Sequence, residues 1–162
     1  MPTAFASCEP RPASRVLILE STGHWASWLY DTWQLDGPRI HELRSIAEVS
    51  AMLREAPASI IAIEMLPETW ESRCHAALNW MRQYGHVRIL ALSCVELVAA
   101  DPLLREIGAA DVAYSQAEMP RLARIILRHV RQFPSADRTL CQQWLDRIPW
   151  ASTNQQALGY SP

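Results

Sequence analysis

The sequence predicts an α/β protein, a three-layer sandwich with a five-stranded parallel sheet of order 2-1-3-4-5 and helices on both faces. Two observations carry the sandwich, and the strand order is one of the two common to doubly wound sheets. Short continuous apolar runs recur (VLIL at 16–19, IIAI at 60–63, ILAL at 89–92), and such runs suit strands covered on both sides. Between them lie segments whose apolar residues recur at helical spacing, punctuated by Gly37-Pro38, Pro57, Gly85, Gly108 and Pro134. Strand–helix alternation of this kind closes by right-handed crossovers into one parallel sheet.

Each element follows from local chemistry. Residues 16–20 form the first strand, and Ser21-Thr22-Gly23 is a turn with capping chemistry. Over 24–33 the residues Trp25, Trp28, Leu29 and Trp33 mark a helix, broken by Asp36-Gly37-Pro38. Residues 39–44 alternate, as an edge strand does. Ser45 and Glu48 then fit a capping box for a helix over 46–55. A buried strand over 59–64 ends in Glu64 and exits through Met65-Leu66-Pro67. A helix over 68–84 carries Trp70, Cys74, Ala77, Leu78 and Met81 on one stripe, with Gly85 as its C-cap. The fourth strand covers 87–93. Residues 96–107 are helical, with a break or late start at Asp101-Pro102, and Gly108 ends them. A short strand over 111–115 precedes the last helix, 120–133. There Leu122, Ile125, Ile126, Val130 and Phe133 face inward, and His129 faces outward with Arg121, Arg124, Arg128 and Arg131.

These boundaries divide the chain into a flexible arm over 1–14, a single domain over 15–134 and a tail over 135–162 carrying a short helix around Trp144. The chain has 162 residues and is 49% apolar, enough for a sizeable core without staples. Its net charge of −2 gives no general pull toward nucleic acid. No apolar run reaches membrane-spanning length, and residues 1–14 do not read as a secretory signal. A cytoplasmic location is expected, with no membrane or nucleic-acid partner. Four scattered cysteines form no CxxC pair, so no zinc or redox motif arises, and Cys74 and Cys94 read as small core residues.

Four local features resemble the receiver domains of response regulators. Residues 16–20 stand where receivers place a strand ending in acids. Residues 60–64 with Met65-Leu66-Pro67 resemble the strand that ends in the phosphoacceptor aspartate and its loop proline. Ala91-Leu92-Ser93 resembles the strand ending in the switch Ser/Thr, and Gly108-Ala109-Ala110-Asp111 the turn before the last strand. The resemblance spans about 15–133 and implies the flavodoxin-like strand order. It also implies a site in which an aspartate takes a phosphoryl group, acidic neighbours hold Mg²⁺, and a lysine pairs with the phosphoryl oxygens.

Against that pattern this chain departs at nearly every position. Glu64 stands at the acceptor position, one methylene too long. The acidic pair is reduced to Glu20 followed by Ser21. The lysine position falls at Ser115 or Gln116, and the chain contains no lysine, all fifteen of its basic residues being arginine. Ser93 alone remains. The expectation is a degenerate receiver site with too little positive charge for phosphotransfer, no cofactor, no metal and no catalysis.

Function then falls to surfaces, as a phosphorylation-independent regulatory or scaffold module with an unidentified protein partner and a homodimeric habit. Trp25 and Trp33 are interface candidates because tryptophans crowd the first helix. Arg121, Arg124, Arg128 and Arg131 line the last helix and could pair with Glu96, Asp101 or Glu106 of a second copy. Trp144 could fold back over the domain or dock on a partner. Two other classes compete at the strand ends: a small-ligand or nucleotide binder using the turn at 21–24, and a small enzyme using Glu20, Glu64 and Ser93. The pair Glu20 and Glu64 reads either as a residual cation site, as a built-in negative charge, or as two solvated carboxylates.

Overall fold

The computed structural model describes residues 12–33 and 37–136. Five strands and five α-helices alternate: β1 (Val16–Leu19), α1 (His24–Trp33), β2 (Ile40–Leu43), α2 (Ile46–Glu55), β3 (Ile60–Met65), α3 (Trp70–Gln83), β4 (Arg88–Ser93), α4 (Asp101–Glu106), β5 (Ala109–Ala113) and α5 (Met119–Gln132). The sheet is parallel throughout, in the order β2-β1-β3-β4-β5. This is the predicted architecture.

The period of two along each strand builds two cores. Val16, Ile18, Ile60, Ala62, Leu90 and Leu92 face α1 and α5, meeting Ala26, Leu29, Leu122 and Ile126. Leu17, Leu19, Ile61, Ile63, Ile89 and Ala91 face the other helices, meeting Val49, Leu53, Ala77, Trp80 and Leu104. Burial on both sides explains why β1 and β3 read as unbroken apolar runs.

Several boundaries show the local chemistry at work. Ser45 accepts from the Glu48 amide while the Glu48 carboxylate accepts from the Ser45 amide, so the capping box forms as predicted. Residues 95–100 form a 3₁₀ segment, and α4 begins only at Asp101 with Pro102 in its first turn. Gly108 then turns the chain at φ +101°, which a glycine tolerates. Gly85 does not act as the expected C-cap. That role falls to Tyr84, in extended conformation, and the only positive-φ glycines among the described residues are Gly23 and Gly108.

Strand β5 starts two residues earlier than predicted and stops at Ala113. The amides of Tyr114 and Ser115 are taken by the Glu118 carboxylate instead, which lifts both residues off the sheet. At the opposite end, Ser14 bridges Ser135, its amide donating to the Pro134 carbonyl at 2.8 Å, while the Ala136 amide donates to Ser14 at 2.9 Å. Both chain ends of the described fold are thereby tied to the start of β1.

One predicted orientation is reversed, and one predicted stripe is shifted without being reversed, since Cys74 and Ala77 lie in the core and Trp70 and Met81 pack against it as expected. His129 faces inward at 2% exposure, because its Nε2 meets the Ala58 carbonyl at 2.6 Å and its ring lies against Phe133. On α3 the buried stripe runs through Arg73, Cys74, Ala76, Ala77 and Trp80, and the Trp80 indole donates to Ser50 of α2 at 2.9 Å. Cys74 is a core residue as expected, but Cys94 is half-exposed beside the 3₁₀ segment.

Candidate functional site

The carboxyl ends of β1, β2 and β3 gather a set of charged side chains. Glu20 lies one residue past β1 and is fully buried. It continues the alternation of Val16 and Ile18 toward α1, and its carboxylate accepts from the amides of Trp25 (2.9 Å) and Ala26 (3.2 Å). These are first-turn donors that the helix itself cannot satisfy. The side chain thus caps its own following helix, with an anion at the positive end of the helix dipole. Burial pushes the Glu20 carboxyl pKa above its ordinary value, and the Glu64 charge pushes it the same way, while the two amides and Arg44 hold it back.

Glu64, the second-last residue of β3, is 4% exposed. One carboxylate oxygen, Oε2, accepts from the Ser21 amide at 2.8 Å and lies 3.5 Å from Nη1 of Arg73. Arg73 sits in the first turn of α3 and is itself 6% exposed. Its Nη1 also donates to the backbone carbonyl of Glu64, and its Nη2 donates to the Ser21 hydroxyl at 3.2 Å. Arg44, just past β2, donates to the Glu20 carbonyl at 2.9 Å and reaches Glu42 at 3.4 Å. Carbonyls at the strand ends have outrun the ladder and need partners. Arginine supplies them at both β1 and β3.

Three carboxylates, Glu20, Glu42 and Glu64, and two guanidiniums therefore make a hydrogen-bonded cluster of mixed charge. This corrects two expectations. Glu20 and Glu64 are not solvated, and the sheet end does not lack positive charge. The sequence reading looked for a cation at 115 or 116 and missed Arg73, which α3 delivers. A signal was present: position 73 stands one turn before Ala77 and two turns before Trp80, so it belongs to the apolar stripe, and a charged residue there must find a buried partner.

Ser93 closes β4 at 2% exposure, and its hydroxyl has no hydrogen-bond partner among the described residues. Ser115 stands apart from the cluster. It opens the short 3₁₀ turn Gln116–Glu118, its amide donating to the Glu118 carboxylate at 3.1 Å and its carbonyl accepting from the Glu118 amide at 3.2 Å. The turn at 21–24 offers little to a phosphate, because Glu20 already fills the α1 amides.

The interface candidates divide. Trp25 (8% exposed) and Trp33 (9%) lie in the core with Ala26 and Leu29, since α1 packs on the sheet alongside α5. Trp28 is the partly exposed tryptophan, edge-on to Trp25 at 5.0 Å and stacked with His24. Arg121 is tied inward, 2.8 Å from Asp111 and donating to the Val112 carbonyl at 2.9 Å. Arg124, Arg128 and Arg131 are exposed and line an open groove with Leu127 and Gln132. Trp144 lies outside the described residues. On α4, Asp101 is engaged by Arg105 (2.8 Å) and by the Tyr114 hydroxyl (3.0 Å). Burial and that carboxylate push the Tyr114 pKa up to about 12. Exposed apolar side chains that the sequence reading did not single out fall in the neighbouring 3₁₀ segment and α4: Val95 (73%), Val98 (49%) and Leu103 (41%).

The strand order and the helices on both faces are those of CheY-like receiver domains. A CheY-like protein (tadZ) from Pseudomonas aeruginosa PAO1 superposes with a TM-score of 0.59 at 16% identity, over 72% of this chain and 98% of that one. HP1043, an orphan response regulator of H. pylori, gives 0.58 at 14% identity, over 75% of this chain and all of that one. The signal receiver domain of a LuxO-type repressor protein from Vibrio parahaemolyticus gives 0.57 at 16% identity, over 93% and 99%. At these identities the likeness is one of fold. No protein-family model matches the chain, and no curated protein matches it.

The receiver resemblance implies a Mg²⁺ ion at these strand ends, and the residues present do not fit one. Both Glu20 oxygens are committed to α1, Glu64 Oε2 is committed to Ser21 and Arg73, and a serine replaces the second acid. Among the described residues no three His, Cys, Asp or Glu side chains gather as metal ligands. Mg²⁺ demands near-octahedral oxygen ligation, which this arrangement does not offer.

Proposed function

We propose that the chain is a receiver-like regulatory module that works without phosphorylation or catalysis, communicates by protein contact, and resides in the cytoplasm. The observation that carries this reading is the buried Arg73–Glu64 pair at the acceptor position. A phosphoryl acceptor must present a free carboxylate oxygen to its donor. Here one oxygen is held by an amide and a guanidinium, in a chain without a lysine to pair with the product. The residue is a glutamate, so the attacking atom would also be displaced by one methylene. No helix among the described residues is long and apolar enough to cross a membrane.

The contact surface of this reading is the face formed by α4, β5 and α5, with a second copy as its partner. Val95, Val98 and Leu103 supply exposed apolar area of the kind a docking surface uses. Arg124, Arg128 and Arg131 on α5 and Glu96 and Glu106 near α4 are exposed charges of opposite sign, the pattern a two-fold interface can use. Asp101 drops out of that pairing because it is satisfied within the chain.

The test combines a small phosphodonor with a measurement of assembly. Incubated with acetyl phosphate and Mg²⁺, the intact chain is expected to gain no phosphoryl group by mass spectrometry. Its sedimentation coefficient is expected to ignore beryllofluoride. An Arg124→Ala/Arg128→Ala variant is expected to dissociate at concentrations where the parent chain is dimeric. A stable acyl-phosphate on Glu64 would end the reading, as would an assembly that depends on beryllofluoride.

A further inference from the structure

We propose that the Arg73 guanidinium is the resident cation of the strand-end crevice, a tethered replacement for a soluble divalent ion that holds the corners after β1 and β3 in one arrangement. This deepens the phosphorylation-independent reading and rests on it.

The argument starts from what Arg73 touches. Its three partners are Glu64 Oε2, the Glu64 backbone carbonyl and the Ser21 hydroxyl. A carboxylate, a carbonyl and a hydroxyl are the oxygen donors that a hard cation such as Mn²⁺ or Mg²⁺ takes. They come from two separate segments, the loop after β1 and the end of β3, so one cation clamps both. A second carboxylate, Glu20, stands close enough to raise the local negative charge, and its own pKa responds to Glu64. Three oxygens of the kinds a hard cation takes thus meet in the crevice, and while Arg73 stands among them they hold a guanidinium, delivered by α3, in place of a divalent ion.

A tethered cation differs from a soluble one in a way that can be measured. Its effective concentration is set by the fold and does not vary with the solution. The guanidinium cannot diffuse away, and its planar fork serves several acceptors at once. The corners that in a metal-dependent site would loosen when the ion leaves are expected to stay fixed in this chain.

The experiment is thermal unfolding of the intact chain with and without millimolar Mn²⁺, followed by tryptophan fluorescence. The parent chain is expected to show no shift in midpoint. In Arg73→Met, which removes the charge and keeps most of the volume, the oxygens lose their cation. Mn²⁺ is then expected to raise the midpoint by on the order of 5 °C or to restore folding outright. In Arg73→Met/Glu64→Gln that response should disappear. A parent chain stabilised by Mn²⁺ in a Glu64-dependent way would overturn the proposal. So would an Arg73→Met variant that ignores Mn²⁺, whether folded or unfolded. These outcomes are distinct from acyl-phosphate formation by the parent chain, which bears on the functional reading alone.

Discussion

Nη1 of Arg73 lies 3.5 Å from Oε2 of Glu64, and both side chains are almost wholly buried, at 7% and 5% exposure. Because the same guanidinium also serves a backbone carbonyl and a hydroxyl, the pair ties α3 to two strand ends. Its loss is a stability event before it is anything else.

Removing one partner leaves the other charged and buried, which costs about 3–5 kcal/mol. Arg73→Met is therefore expected to be strongly destabilised in urea titrations without metal. Arg73→Met/Glu64→Gln is expected to recover much of the loss, since no bare charge remains. A double variant no more stable than the single one would show that the pair acts through packing instead.

Glu20 should show a pH signature. Its raised pKa means that the folded state favours the protonated carboxyl relative to the unfolded chain. That increment is complete below the ordinary value of 4.5 and is lost as pH rises through the folded value. The parent chain is accordingly expected to lose stability relative to Glu20→Gln as pH rises above 4.5. Glu20→Ala instead strips the α1 amides of their acceptor and is expected to cost about 1–2 kcal/mol, as cap deletions do. Denaturation midpoints across the range check both.

His129 carries the opposite dependence. Burial lowers its pKa first, the charges of Arg88 and His86 add to this, and the bond to Ala58 opposes it. Its neutral form is the folded one, so its contribution is intact above 6.5 and is lost as pH falls from there toward the depressed folded value. His129→Gln keeps a donor for the Ala58 carbonyl and does not titrate. Its unfolding midpoint is expected to fall less than the parent's between about pH 6.5 and 5.

Ser93 offers a test of whether the crevice uses its hydroxyl. A buried hydroxyl without a partner is an unrecovered desolvation cost. Ser93→Ala is expected to be neutral or stabilising, by up to about 1 kcal/mol, and to leave assembly unchanged. A destabilised or dissociated Ser93→Ala would assign the hydroxyl a role in the network.

The strand–helix alternation and most element boundaries were legible in the sequence because they depend on local rules, whereas the strand order came from the doubly wound pattern and the receiver resemblance. A parallel strand needs apolar residues on both faces, and a helix needs a stripe. The capping box at Ser45 and Glu48 requires only two side chains three residues apart. The end of β5 was misplaced because it depends on Glu118, a residue beyond the strand that competes for its amides.

What the sequence left open is which edge of each stripe becomes covered. Periodicity marks a direction, but the width of burial is set by the neighbours. Packing of α5 against α1 put Trp25 and Trp33 inside and left Trp28 partly exposed. The nearness of Ala58 drew His129 in, although it stands among arginines in the sequence. The same reason governs Arg73. Its place in the helical stripe marked it for burial but named no partner, and only the meeting of α3 with the ends of β1 and β3 gave it three oxygens to hold a guanidinium out of water.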